Sequence, residues 1–199
     1  ESAFNSCHIT SLFIPESLHI LEDGWCKSTF QLFDITVSEK NRNFVFTESK
    51  LLLSRKSDTE EELDTISFAS RNIESIAIPD SVRIISSQAF QDCSQLISVS
   101  FQNSPNSKLK KIGDMAFFDC ASLKPFPESV TFFGSYCFSG TDELKSAEFL
   151  GSEIYFSDFC FNTSGLVLAS FPNASNIYIN LLTFSNGYDD EECFVLFIH

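Results

Sequence analysis

Polar and apolar positions along this chain fall into a block that repeats. One part of the block reads Leu32-x-x-Ile35-x-Val37, Leu96-x-x-Val99-x-Phe101 and Leu144-x-x-Ala147-x-Phe149. It ends in period-two alternation, the mark of a strand with one buried face. A proline word follows such strands: Ile14-Pro15-Glu16-Ser17-Leu18, Ile78-Pro79-Asp80-Ser81-Val82 and Phe126-Pro127-Glu128-Ser129-Val130. Proline fixes φ and offers no N–H to a ladder, so the strand must stop and the chain must turn. Seven residues beyond the Leu or Val stands a third landmark, Trp25-Cys26, Ala89-Phe90 and Cys137-Phe138, and the same place is filled by Ala3-Phe4, Ala116-Phe117, Cys160-Phe161 and Thr183-Phe184. A large apolar residue precedes the landmark by four in each complete case: Leu21, Ile85, Ile112, Phe133, Phe156 and Ile179. Apolar residues at i, i+4 and i+5 predict a short helical or 3-10 turn that docks by one face.

The landmark recurs at 3, 25, 89, 116, 137, 160 and 183, with spacings of 22, 64, 27, 21, 23 and 23. One such unit cannot bury its own apolar residues, whereas stacked units can. The expectation is a single α/β solenoid domain over 1–199, with about seven repeats of ~23 residues. Its parallel sheet lies on one face and its short helical turns on the other. Glu153 and Asn176 replace the Leu/Val column, so the last two repeats should be the least regular. N-terminal repeats cover 1–37 and C-terminal repeats 71–199. Between them, the segment 43–53 reads as a hairpin with a polar turn, Asp58-Thr59-Glu60-Glu61-Glu62 as an exposed loop, and Thr65-Ile66-Ser67-Phe68 as the return to the pattern. The 38–70 stretch is either an insertion or two degenerate repeats, since 64 is close to three repeat lengths.

Composition adds two constraints. The 199 residues carry 23 Phe but one Trp and one Met, so phenylalanine should occupy a recurring structural position. The net charge of −14 opposes nucleic acid and anionic lipid as partners, because both need a basic surface. No apolar run reaches the ~18 residues of a membrane span. The chain opens Glu1-Ser2-Ala3-Phe4 inside a repeat, which fits a mature product or an excised fragment. It also leaves room for flanking repeats or end-to-end self-association.

The unit I-P-x-S-V-x-x-I-x-x-x-A-F-x-x-C-x-x-L-x-x-V-x-F, together with the N-x-x-F…L-L-L-S segment, resembles the BspA-type leucine-rich repeats of bacterial and protozoan surface proteins. The resemblance covers nearly the whole chain. It implies a curved leucine-rich-repeat solenoid, a cell-surface or secreted location, and adhesion to host, matrix or microbial surfaces. It brings no catalytic residues and no cofactor. The alternative is an intracellular scaffold that holds partner proteins in a cytoplasmic setting.

Candidate chemistry is sparse. Cys7, Cys93 and Cys120 share the C of A-F-x-x-C, Cys137 and Cys160 take the Ala column, Cys26 the Phe column and Cys193 the Val99 column. All seven therefore read as core thiols acting as small hydrophobes. No C-x-x-C pair or histidine cluster suggests zinc. His8, His19 and His199 stand in no nucleophile motif, so an enzyme is not expected. Asp189-Asp190-Glu191-Glu192 lacks calcium-loop spacing. Asn162-Thr163-Ser164 and Asn173-Ala174-Ser175 are N-glycosylation sequons, meaningful only in a secretory compartment. The expected binding face is the sheet, whose alternation exposes Asp34, Thr36, Ser75, Ala77, Ser98, Ser100, Ser146 and Glu148. That surface is small, hydroxylated and slightly acidic, without the Trp, Tyr and Arg anchors of tight interfaces. Weak multivalent binding there is one reading; the other places the site on the 43–53 hairpin or elsewhere.

Overall fold

The computed structural model describes Phe4 and residues 7–55, 62–101, 107–124, 127–128, 130–180, 182–185 and 196–198. Cys193, the acidic run 189–192, His199 and positions 58–61 of the expected loop lie outside the described residues. The strands in chain order are β1 (Ser11–Ile14), β2 (Asp34–Val37), β3 (Phe44–Phe46), β4 (Leu51–Ser54), β5 (Thr65–Ala69), β6 (Ser75–Ile78), β7 (Ile84–Ile85) and β8 (Ser98–Phe101). They continue as β9 (Lys111–Ile112), β10 (Pro127–Glu128), β11 (Phe132–Phe133), β12 (Ser146–Phe149), β13 (Glu153–Phe156), β14 (Leu168–Ser170), β15 (Asn176–Ile179) and β16 (Leu196–Ile198).

The alternating segments form parallel strands as expected, but they divide into three sheets: β1-β2, β6-β8 and β10-β12-β14-β16. A second side of the solenoid carries an eight-stranded sheet in the order β15-β13-β11-β9-β7-β5-β4-β3. β7 and β11 come from the stretch after the proline word, while β3, β4 and β5 come from the hairpin and the return to the pattern. β7, β9 and β11 have only two residues each, too few to show alternation in sequence. Their inward residues Ile85, Ile112 and Phe133 are buried and in register. In β13 and β15 the polar Glu153 and Asn176 face out, and Ile154 with Phe156 makes a proper alternation, so these strands lengthen to four residues. The irregularity of the last repeats thus takes the form of a longer strand.

The expected helical turns are absent; among the described residues there is no helix. The five A-F segments from Trp25 to Cys160 instead carry left-handed residues four apart: Gly24 and Ser28, Gln88 and Asp92, Met115 and Asp119, Tyr136 and Gly140, Phe159 and Thr163. Positive φ breaks right-handed helix at both points. The N–H groups then alternate in direction. Ala89, Gln91 and Cys93 donate within their own turn, to Ser86, Gln88 and Phe90, whereas Gln88, Phe90 and Asp92 donate to Asp114, Ala116 and Phe118 of the next coil. The pattern repeats from Met115, Phe117 and Asp119 to Ser135, Cys137 and Ser139. Inter-coil bonding satisfies the donors that a helix would have used. Coils approach so closely that a Cβ on Gly134 would lie 2.5 Å from the carbonyl carbon of Gly113.

The recurring phenylalanine has the structural role its frequency suggests. Phe90, Phe117, Phe138, Phe161 and Phe184 stack along the axis with centroids 4.8, 5.3, 5.2 and 5.3 Å apart. This column belongs to the core formed by residues from Leu51 onward, while Ile14, Trp25, Cys26, Leu32, Ile35, Phe44, Leu52 and Phe68 form a second core. The hairpin expected over 43–53 is present as antiparallel β3 and β4, and β5 pairs antiparallel with β4. Leu51 and Leu53 face the first core, Leu52 the second. Every residue of β4 and β5 is buried, so this element joins two cores.

Arg71 completes the join. It is 4% exposed, and its guanidinium donates to the carbonyls of Ala89 (2.8 Å), Cys26 (3.2 Å) and Gln88 (3.3 Å). It also lies 4.7 Å over the Phe68 ring. A planar fork with five donors can bridge carbonyls from two coils at once. Nothing in the repeat pattern marks Arg71, because it sits where the pattern is interrupted.

Candidate functional site: an aromatic row leading into a cleft

Outward residues of the eight-stranded sheet align strand by strand, Ile84 with Lys111, Lys111 with Phe132, Phe132 with Tyr155 and Tyr155 with Tyr178. Four strand spacings make a row of about 19 Å. Phe132, Tyr155 and Tyr178 are 38%, 40% and 47% exposed. Tyr155 and Tyr178 stack at 4.3 Å with nearly parallel rings, and the Lys111 ammonium lies 5.4 Å from the Phe132 centroid. Stacking turns ring edges and phenol groups outward and limits the side-chain motion that a partner must freeze.

The row ends at a cleft of about 270 Å³. One wall is Ile20–Asp23 of the N-terminal repeat, and Phe44, Ser54, Arg55, Thr65, Ser67, Ile84–Ser87, Lys111 and Gly113 line the rest. The wall is fixed by Asp23, whose carboxylate accepts from the Ser87 N–H (2.8 Å) and hydroxyl (2.6 Å). The volume falls just below the ~300–1,000 Å³ range of ligand pockets and suits one inserted side chain. Arg83, Lys110 and Lys111 crowd this end of the row, with Arg55 in the cleft, in a chain with only 13 Lys and Arg. Asp64 offsets part of this charge through a 3.9 Å ion pair with Arg83, and Glu22 and Asp23 line the cleft beside Arg55 and Lys111.

The residues expected to bind occupy the other side. Asp34, Thr36, Ser75, Ala77, Ser98, Ser100 and Glu148 are exposed and Ser146 is half-buried. Ser75 pairs with Ser98 and Ala77 with Ser100, but Asp34 and Thr36 stand in one sheet, Ser75 to Ser100 in a second, Ser146 and Glu148 in a third. Repetition from turn to turn is therefore more regular on the eight-stranded side. The aromatic row was missed because each member lies in a strand of two or four residues whose alternation the repeat pattern does not display. The 43–53 hairpin, the other expected location, contributes mainly to the cores, with Val45 44% exposed.

The two sequons differ. Asn173 is exposed, whereas Asn162 is half-buried and its carbonyl accepts the Gly140 N–H across the turn ladder. Of the six described cysteines, none is disulfide-bonded, and Cys26, Cys93, Cys120, Cys137 and Cys160 are buried. Cys7 is only partly buried, so it does not follow the core expectation fully; it lies at the end of the solenoid, with no described coil beyond it. Burial pushes the Cys93 thiol up to about 11, against the opposing pull of Arg71, and raises Cys120 and Cys160 further above the ordinary thiol range. No group of three or more metal-ligating side chains occurs among the described residues.

A β-solenoid with an exposed, register-matched aromatic row defines a repeat protein whose sheets are available for contact. Six copies of the BspA type Leucine rich repeat region match the chain, over residues 1–55 and 61–189, and the chain belongs to this family. No curated protein matches it. Among solved structures it is similar to a leucine-rich cell surface protein from Faecalibacterium prausnitzii, at 21% identity and TM-score 0.72 over 95% of this chain and 51% of that one. It is also similar to the pneumococcal vaccine antigen PcpA, at 23% identity and TM-score 0.70 over 86% and 43%. A leucine-rich repeat protein from Eubacterium ventriosum matches at 18% identity and TM-score 0.67 over 89% and 52%. At these identities the likeness establishes the fold. The chain spans about half the length of these structures. No helix among the described residues is long and apolar enough to cross a membrane.

Proposed function

We propose that this chain is a non-catalytic protein-interaction module, cell-surface or secreted, that binds a protein of a host or matrix surface along the eight-stranded sheet. The observation carrying this reading is the exposed Phe132-Tyr155-Tyr178 row in strand register, which continues through Lys111 into a cleft lined by Arg55 and Lys111 together with Glu22 and Asp23. Aromatic side chains carry a large share of interface energy at low entropic cost. Lys111, Lys110 and Arg83 supply steering toward a partner with acidic side chains, despite the net negative chain. The hydroxylated face with Ser98, Ser100 and Ser146 serves as a weaker, auxiliary contact in this reading.

Binding of the purified chain to a panel of immobilised extracellular-matrix proteins and to intact cells tests the proposal. Tyr155→Ala with Tyr178→Ala should reduce the strongest interaction at least tenfold while circular dichroism stays unchanged. Ser98→Ala or Ser146→Ala should change it by less than about 1 kcal/mol. If the double tyrosine variant binds normally and Ser100→Arg abolishes binding, the hydroxylated face is the site instead.

A further inference from the structure

We propose that Cys137 and Cys160 form a redox site, a thiol pair that closes into a disulfide between consecutive coils under oxidising conditions and stays open under reducing ones. The two sulfurs lie 3.1 Å apart, both side chains are fully buried, and both occupy the column that Ala89 and Ala116 fill in earlier coils. The Phe138 N–H donates to the Cys160 carbonyl at 2.8 Å, which fixes the register of the two turns. Neighbouring coils are about 4.8 Å apart, inside the ~4.4–6.8 Å Cα separation that a disulfide spans. Closure brings the two sulfurs about 1 Å nearer each other, which a coil spacing of that size accommodates.

Other described cysteines lack this arrangement. Cys93 and Cys120 also share a column in consecutive coils, but the Cys120 sulfur is turned to the Phe90 carbonyl (3.1 Å) and the Cys93 sulfur to that of Ser70 (3.7 Å). Cys26 approaches the carbonyls of Gln88 (3.4 Å) and Ser67 (3.8 Å). One pair is thus selected by side-chain direction.

Closure proceeds by exchange with a small-molecule disulfide or the disulfide of an oxidoreductase. One protein thiolate attacks the external disulfide and displaces one thiol; the second protein thiolate then attacks the mixed disulfide and displaces the other. Two protein thiols and one external disulfide become one protein disulfide and two external thiols. Burial denies reagents access to the folded pair and keeps the Cys160 thiol protonated, so the bond forms while the coils are still open and resists reduction afterwards.

The test is to fold the full chain in a glutathione redox buffer and, separately, in dithiothreitol, alkylate in denaturant, and map peptides by mass spectrometry. Oxidative folding should yield a Cys137–Cys160 link and five alkylated cysteines of the seven. The closed form should melt about 5–10 °C above the reduced one. Cys137→Ala, which restores the residue found at 89 and 116, should fold and abolish that difference. Seven alkylated cysteines after oxidative folding, or a bond joining other cysteines, would overturn the site. A Cys137–Cys160 bond without a melting difference would overturn its role as a staple.

Discussion

Phe117→Ala probes the load carried by the phenylalanine column. Phe117 is fully buried and stacks on Phe90 at 4.8 Å and on Phe138 at 5.3 Å, so both faces are covered. Truncating a buried Phe costs about 3–5 kcal/mol. The turn ladder holds the backbone on both sides, so the site cannot collapse, and two ring pairs worth about 0.5–1.5 kcal/mol each are lost within that total. The upper end, about 5 kcal/mol, is therefore expected. Phe184 stacks on Phe161 but is only partly buried, so Phe184→Ala should cost about 1–2 kcal/mol. Urea titrations followed by far-UV circular dichroism would measure both. The single tryptophan, Trp25, sits in the other core and gives an independent fluorescence probe of whether the two cores melt together. Equal losses for Phe117→Ala and Phe184→Ala would refute the column as the source of stability.

Three further outcomes are expected. Arg71→Met removes the donors that bridge Cys26 and Ala89, so it should cost about 2–4 kcal/mol and separate the fluorescence and circular dichroism transitions. Asp92 is partly buried, and burial pushes its carboxyl up to about 6, with Arg71 opposing and Asp119 reinforcing. A raised folded pKa means the folded state holds its proton longer, so stability falls as pH rises from about 4 to 6. Asp92→Asn should therefore stabilise at pH 7 by about 1 kcal/mol, after discounting for solvent screening, and by almost nothing below pH 4. Expressed through a eukaryotic secretory route, the chain should carry glycan at exposed Asn173 in greater occupancy than at Asn162, as glycopeptide mass spectrometry would read.

The repeat itself was legible because its buried positions are chemically narrow. Phe90, Phe117, Phe138 and Phe161 recur where a large flat residue fills the column, and the I-P-x-S word marks the strand ends at Ile14 and Ile78, whereas in the third copy Pro127 opens the two-residue β10. The A-F turn was legible in position but not in conformation. Its i, i+4, i+5 spacing satisfies a helical face, yet left-handed Gln88, Asp92, Met115, Asp119, Tyr136 and Phe159 cannot lie in a helix. Bulky Met, Tyr and Phe at positive φ give no local warning; the inter-coil hydrogen bonds that stabilise them belong to the stack and to no single repeat.

The candidate site was hidden in the sequence for the same reason. A periodic sequence advertises what every coil needs, and every coil needs its interior. Outward positions are free to vary, so the row Ile84, Lys111, Phe132, Tyr155, Tyr178 drifts from aliphatic through cationic to aromatic along the solenoid. That gradient is invisible to a consensus and becomes a surface only once strand register aligns its members. Departures from the repeat behave alike: Arg71 joins two cores, Cys137 and Cys160 replace alanine in adjacent coils, and Glu153 and Asn176 lengthen the strands that carry the tyrosines. The repeat specifies the scaffold, and its particular chemistry lies in the residues that break the pattern.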